Sequence, residues 1–476
     1  MQVCARNTSS GPTVCGSLFL RSFFLLALFL SMFVVSSSER GYAIPAFARK
    51  YGLPCSACHI GWPILNVFGQ QFRDNGYQLG NDKDSPIFQS NGYWPITFRV
   101  TPQWHLESST NVAVDPTLTT PVGVQTVNTH GFDLSGLDIW TAGTLYKNIS
   151  FSVLPSMAEG DGFHFENAFV RFDNLGNTPW LNLKFGKFEL DSLLSEKRFL
   201  TLSGVGGAWY NYHFLPPGSG TAPDSNGFGG IGDNQIGLEL AGHSKNSYAR
   251  YSIALLSSTD GNPGLTSGGQ GATARTYDTF VNLNEGFQVP GLGVQRVGVF
   301  GYFGMSPTYF LTTGGGATAL EAKGNRSFSR VGAYGWWFIK DFDVETFFMH
   351  GQDNVFLGNG VAANDPGSLP AGAAGPTWNG GFVEAHYAYS PQLIFTGRYE
   401  LVHMSRQANP SFAAQGTPNM GNVDSFTLGY RWYPIMFSRA GLAFHNEYSQ
   451  AKTGNLGANL LDQTNRSLMI GFDFDY

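Results

Sequence analysis

Cys55, Cys58 and His59, in the run LPCSACHIGW, are the residues of this chain whose type and spacing most clearly imply chemistry. C-x-x-C-H is the pattern of c-type haem attachment. Both thiols add to the vinyl groups of the porphyrin, and the histidine ligates the iron through one ring nitrogen. Its other nitrogen is expected to donate to a backbone carbonyl, which fixes the ring. The motif occurs once, so one haem c is expected. A zinc site would need four ligands, and no second cysteine cluster exists to supply them.

The elements around the motif are short. IPAFARKYG reads as a helix with Pro45 in its first turn and Gly52 as its C-terminal cap. WPILNVFGQQFRDNG reads as a second helix with Pro63 in its first turn. It has Ile64, Phe68 and Phe72 on one face and stops at Asn75-Gly76. Residues 44–92 form this haem segment. Residues 1–43 have the pattern of a cleaved export signal: Arg6 and Arg21, then the apolar core FFLLALFLSMFVV, then Gly41-Tyr42-Ala43 as a small-x-small site. Cleavage would remove Cys4 and Cys15 and leave only the motif pair.

From residue 93 to 476 the hydrophobic period switches to two. ITFRVTPQWHL sets Phe98, Val100, Trp104 and Leu106 against Arg99, Thr101, Gln103 and His105. About sixteen such segments follow, starting near 96, 132, 149, 163, 180, 235, 248, 275, 295, 328, 342, 380, 392, 424, 436 and 467. Short turns at Lys147-Asn148, Lys245-Asn246, Lys340-Asp341, Ser390-Pro391 and around Met436 alternate with long glycine- and proline-rich stretches. Charged residues are only 13% and aromatics reach 15%, against about 25% charged in typical globular domains. Beyond the N-terminus no apolar run approaches the roughly 20 residues of a membrane-spanning helix. Together these features predict a mostly β fold, an antiparallel outer-membrane β-barrel of about sixteen strands with lipid as its outer partner. Tyr146, Trp336, Trp337, Tyr387, Tyr389, Trp432 and Tyr433 are expected to form its inner interfacial girdle. The last strand puts Leu468, Ile470, Phe472, Phe474 and Tyr476 on one face. A net charge of −6 argues against a nucleic-acid partner.

AIPAFARKYGLPCSACH, Ala43 to His59, resembles the N-terminal signature of the outer-membrane fused monohaem cytochrome–porins of iron-oxidising bacteria. In that pattern an Ala-x-Pro-x-Phe-Ala-Arg run precedes a single CxxCH, and a barrel of about sixteen strands follows. This chain departs at Lys50-Tyr51, where the pattern has glutamine and a small polar residue, which leaves room for another substrate. The resemblance implies an Fe(II) oxidase: electrons are taken from extracellular Fe(II) and passed to a periplasmic c-type cytochrome or similar carrier. Composition and periodicity do not speak to iron.

The distal side of the haem is less defined. Between His59 and His105 the chain has no methionine and no other histidine. The site is therefore five-coordinate, held by a weaker ligand, or completed from the barrel. His105 is the barrel residue with the right chemistry, though a solvated lumen histidine is the plainer reading. About fifty residues make a poor haem fold on their own, so the segment is expected to plug the lumen. Arg99, Glu239, Arg250, Arg330, Glu345, Glu384, Arg398, Glu400, Arg431, His445 and Glu447 are expected to face inward. Alternatives are a solute porin with a structural or gating haem, a conduit for another extracellular redox partner, and a soluble periplasmic haem enzyme. Replacing Cys55 and Cys58 together by alanine should abolish covalent haem staining of the mature protein. Replacing Cys4 and Cys15 should leave it unchanged wherever export persists.

Overall fold

The computed structural model describes residues 45–61, 64–79, 96–113, 124–157, 162–192, 234–257, 277–314, 317–352, 377–406, 422–436, 440–454 and 462–475. The expected export signal, residues 1–43, lies outside them. Sixteen antiparallel strands, from β3 (Thr97–Ala113) to β18 (Gln463–Asp475), close into a barrel. Each strand pairs with its sequence neighbours, and the ring closes where β18 meets β3 from Asn465↔Ser109 to Asp475↔Arg99. Most strands begin within three residues of the positions expected from periodicity. β4 (Val124–Tyr146), β12 (Ala317–Ile339) and β18 start earlier, and β17 (Gly441–Thr453) starts later. Lys147 and Lys340 hold positive φ in two of the predicted tight turns.

Alternation sorts the side chains into two populations. In β9 (Ala249–Ser257) Arg250, Ser252, Ala254 and Leu256 are buried, while Ile253 and Leu255 are exposed. In β13 (Phe342–Gln352) Asp343, Glu345, Phe347 and Met349 are buried, while Phe342 and Phe348 are exposed. Charge lies inside and apolar surface outside, the reverse of a water-soluble protein and the arrangement a barrel needs in hydrocarbon. Ten of the eleven charged residues expected to face inward are buried, Arg99 being half-buried. Five of the seven aromatics expected in the girdle point outward or lie at the surface as a period of two requires: Tyr146, Trp337, Tyr387, Tyr389 and Trp432. Trp336 and Tyr433 instead are buried. Adjacent residues on a strand face opposite ways, so Trp336-Trp337 and Trp432-Tyr433 cannot both serve one face.

Among its described residues the N-terminal segment has three helices, α1 (Pro45–Tyr51), α2 (Cys55–Cys58) and α3 (Val67–Asp74). α1 ends at Gly52 with φ of 63°, as its sequence predicts. The second predicted helix is shorter than expected. His59–Gly61 (β1) pairs with Ile64–Leu65 (β2), and α3 begins only after Asn66. The Asn66 side chain caps α3 by accepting the Gly69 N–H at 2.9 Å, which outcompetes a longer helix. Ile64 therefore leaves the Phe68 and Phe72 face and packs with Trp336 and Ile394.

Segment and barrel meet through side chains on several strands. Arg250 binds Asp191 at 2.8 Å and also the Asp74 carboxylate, while Arg73 reaches Asp191 at 2.8 Å. Arg171 donates to the Arg73 carbonyl at 2.8 Å, Gln71 to the Asn246 carbonyl at 2.9 Å and Gln78 to the Lys147 carbonyl at 3.1 Å. Asn246 and Lys147 lie in tight turns, so these anchors sit at the short-turn end of the barrel. Burial alone would raise the Asp74 carboxyl, but Arg250, His243 and Arg73 outweigh it and hold it below the ordinary carboxylate range. Burial and then Arg250, Arg73 and Lys184 act likewise on Asp191, with the same net direction. Both groups have folded values below their unfolded ones. Their contribution is full above the ordinary aspartate value of about 3.9 and is lost as pH falls through the depressed values. Breaking one partner of a buried pair costs about 3–5 kcal/mol. Asp74→Asn should therefore loosen the segment, seen as faster tryptic cleavage at Lys50 and Arg73 at pH 7 with the barrel intact.

Candidate functional site

The CxxCH backbone is a single tight turn of helix. The Ala57 N–H donates to the Pro54 carbonyl at 2.9 Å. Asn66 holds the turn from the other side, its amide donating to the carbonyls of Ser56 and Ala57 at 3.2 and 3.0 Å. Its backbone N–H donates to the Cys58 carbonyl at 2.9 Å. Gly69 lies against the same carbonyl so closely that a β-carbon there would collide with it. Asn66 and Gly69 are thus positioning residues for the motif. Sequence reading missed both, although Asn before an apolar helical run is a recognisable cap signal.

Cys58 and His59 line a cavity of about 490 Å³, within the usual range for small-molecule and cofactor sites. Phe47, Tyr51, Leu53, Phe68 and Phe72 of the segment form one apolar wall, and Trp140, Leu154 and Phe169 of the barrel form another. The aromatic wall is tightly built: Phe47 stacks on Tyr77 at 5.3 Å and meets Phe72 and Trp140 edge-on at 4.9 and 5.6 Å. Arg73, Arg171, Lys184 and Arg250 line the polar part, each tied to a carboxylate. Cys58 and His59 are the described side chains that could hold a covalent haem; Cys55 shares their helical turn. Burial pushes the Cys58 thiol up to about 11.

His105 does not line this cavity. It sits on β3 opposite Met469, with Nδ1 3.8 Å from an Asp133 carboxylate oxygen. Another histidine does line it. His243 ends β8 (Asn234–His243) and is buried. Its Nδ1 lies 2.9 Å from the Ser244 carbonyl, which can only accept, so Nδ1 carries the proton. In the neutral ring Nε2 is the lone-pair atom, and it is buried with no hydrogen-bond partner among the described residues. In sequence, His243 is a strand-end residue far from the motif, and nothing local marks it.

No family model matches the chain, nor does any curated protein. Solved barrels do. A loop-deletion mutant of OmpT, an outer membrane protein of Vibrio cholerae, is 12% identical, with 80% of this chain and 99% of that one covered and a TM-score of 0.46. The outer membrane channel DcaP of Acinetobacter baumannii is 10% identical over 81% and 99%, with a TM-score of 0.47. OprB of Pseudomonas putida is 10% identical over 80% and 94%, with a TM-score of 0.46. At this level of likeness the barrel rests on its own strand register. In haem-free protein, alkylation of Cys58 by iodoacetamide should be slow at pH 8 and rise about tenfold per pH unit toward pH 10, followed by peptide mass spectrometry.

Proposed function

We propose that this chain is an outer-membrane electron-transfer conduit, a monohaem c-type cytochrome fused to a porin-like barrel. One observation carries the reading: Cys58 and His59 of the single CxxCH line an aromatic-walled cavity of about 490 Å³ shared by the segment and the inner face of the barrel. The segment plugs the short-turn end of the lumen, so the barrel wall supplies the half of a haem fold that the segment lacks. A haem iron supplies one-electron exchange between its ferrous and ferric states. The protein's part is to hold Cys58 and His59 through Asn66 and Gly69, and to enclose the ring between Phe47, Phe72, Trp140 and Phe169.

His243 is the proposed sixth ligand in place of His105. With Nδ1–H fixed by a backbone carbonyl, Nε2 would be the nitrogen left to ligate an iron, and His243 lines the same cavity as Cys58 and His59. By the family resemblance the electron donor is extracellular Fe(II), and the acceptor is a periplasmic c-type carrier.

One feature of the interior fits this reading. Water-filled porins keep a polar channel. Here Phe188, Leu190, Phe280, Phe300, Tyr302, Phe347, Trp378 and Phe382 belong to one buried apolar cluster on the inner wall. The charged inner residues and the porin-like fold favour the second reading, a solute porin with a structural or gating haem. A potentiometric titration of the purified protein with stopped-flow Fe(II) mixing should show a single haem reduced by Fe(II), and solute flux through the intact protein in liposomes should be blocked. An open pore with a haem inert to Fe(II) would favour the porin. His243→Ala should retain covalent haem and shift its visible spectrum from low spin toward high spin, while His105→Ala should leave the spectrum unchanged.

A further inference from the structure

Away from the cavity, Asp343 and Glu345 on β13 and His386 on β14 (Thr377–Ser390) bring one ligating atom each within 4.8 Å of one another. The strand register makes this possible. Asp343 lies opposite His386 and Glu345 opposite Glu384, and residues two apart share a face. All three side chains are at least nine-tenths buried.

The surroundings have the layout of a coordination sphere with its support. His386 Nδ1 lies 2.7 Å from Asp343 Oδ1, and Nε2 lies 2.6 Å from Glu384 Oε1. Glu384 is held in turn by Arg398 at 3.2 Å, and Arg398 reaches Glu400 at 3.0 Å. Trp336 Nε1–H donates to Asp343 at 3.1 Å. Glu345 Oε2 is the member left over: it is buried and has no hydrogen-bond partner among the described residues. Four carboxylates thus face one guanidinium and one imidazole, and a buried carboxylate oxygen without a partner is costly.

We propose that Asp343, Glu345 and His386 form a binding site for a first-row divalent cation. Two carboxylates and one imidazole suit Mn²⁺, Fe²⁺ or Zn²⁺, whereas Mg²⁺ and Ca²⁺ prefer oxygen ligands throughout. The cation takes the place of the proton between His386 Nδ1 and Asp343, and that proton leaves to solvent. The Nε2–H stays on Glu384, giving the carboxylate–histidine–metal arrangement that fixes the ligand's tautomer and orientation. Glu384, Arg398 and Trp336 act as positioning residues. Trp336 also packs against Ile64, with Ile60 beside it, so the site lies one tryptophan away from the segment that carries the CxxCH motif. The proposal stands apart from the haem reading.

The test uses full-length protein in detergent, stripped with chelator and titrated with Mn²⁺ and Zn²⁺, so that haem iron does not enter the count. Equilibrium dialysis with elemental analysis should find one bound cation per chain, and an unbuffered titration should release about one proton per cation. His386→Gln should abolish uptake. Glu384→Gln, which leaves all three ligands in place, should weaken it about 10–100-fold. Heat-modifiable gel migration confirms that each variant retains its barrel. Absence of stoichiometric uptake by the folded parent protein would overturn the site, whatever the variants do, and so would unchanged uptake in folded His386→Gln. Uptake without covalent haem would sink the haem reading alone. Covalent haem without uptake would sink this one alone.

Discussion

Closure of the hydrogen-bonded ring is the constraint on which the rest of this protein depends. Hydrocarbon offers no partner to a backbone N–H or C=O, so a spanning sheet must satisfy all of them internally and leave no edge. The sixteen strands do so, with β18 returning to β3 and β9 meeting β10 (Tyr277–Val289). Once the ring is closed, every strand has one face toward hydrocarbon and one toward the interior. Outward positions become apolar, as at Leu283, Val299, Phe348 and Leu428. Charge has only the interior left to it.

Charges confined inside must neutralise one another, and they do so in clusters. Arg99 lies among Asp138, Asp473 and Asp475, and Arg431 shares Asp473 at 3.0 Å. Arg171 and Arg250 differ because part of their bonding goes to the N-terminal segment, to the Arg73 carbonyl and to Asp74. The inner wall thereby bonds to the end of α3 at two points. About fifty residues could not bury a large apolar surface alone. Here Trp140 and Ala142 of the wall complete the cluster built by Phe47, Tyr51, Phe72 and Tyr77. These contacts join the segment to the barrel wall.

The interior also holds stacked aromatic rings. Phe300 and Phe347 stack at 5.2 Å, Phe347 and Phe382 at 5.5 Å, and Tyr302 and Phe328 at 5.8 Å. Such stacks fill volume and exclude water, which strengthens the buried ion pairs near them. Arg398, 4.2 Å from the Phe382 ring centre, joins the aromatic cluster to the charged group around Glu384 and His386. Packing and charge pairing therefore support each other along one side of the barrel.

Local patterns were readable without a structure. The CxxCH motif is contiguous, a strand period of two survives in any sequence window, and Lys147 and Lys340 mark turns by their immediate neighbours. The inward charges, from Glu239 to Glu447, could be assigned because the period alone decides which face a residue takes. What depended on the closed ring was invisible. Asn66 starts α3 by accepting the Gly69 N–H, a local cap that helix periodicity does not register, while its amide holds the Ser56 and Ala57 carbonyls. Trp336 turns inward to meet Ile64, more than 250 residues away in sequence. His243 lines the cavity and His105 does not, although both read alike as strand histidines. The physical reason is that alternation fixes in or out, whereas the stagger of sixteen paired strands fixes height and azimuth. Only those two coordinates decide which inner side chain meets the motif.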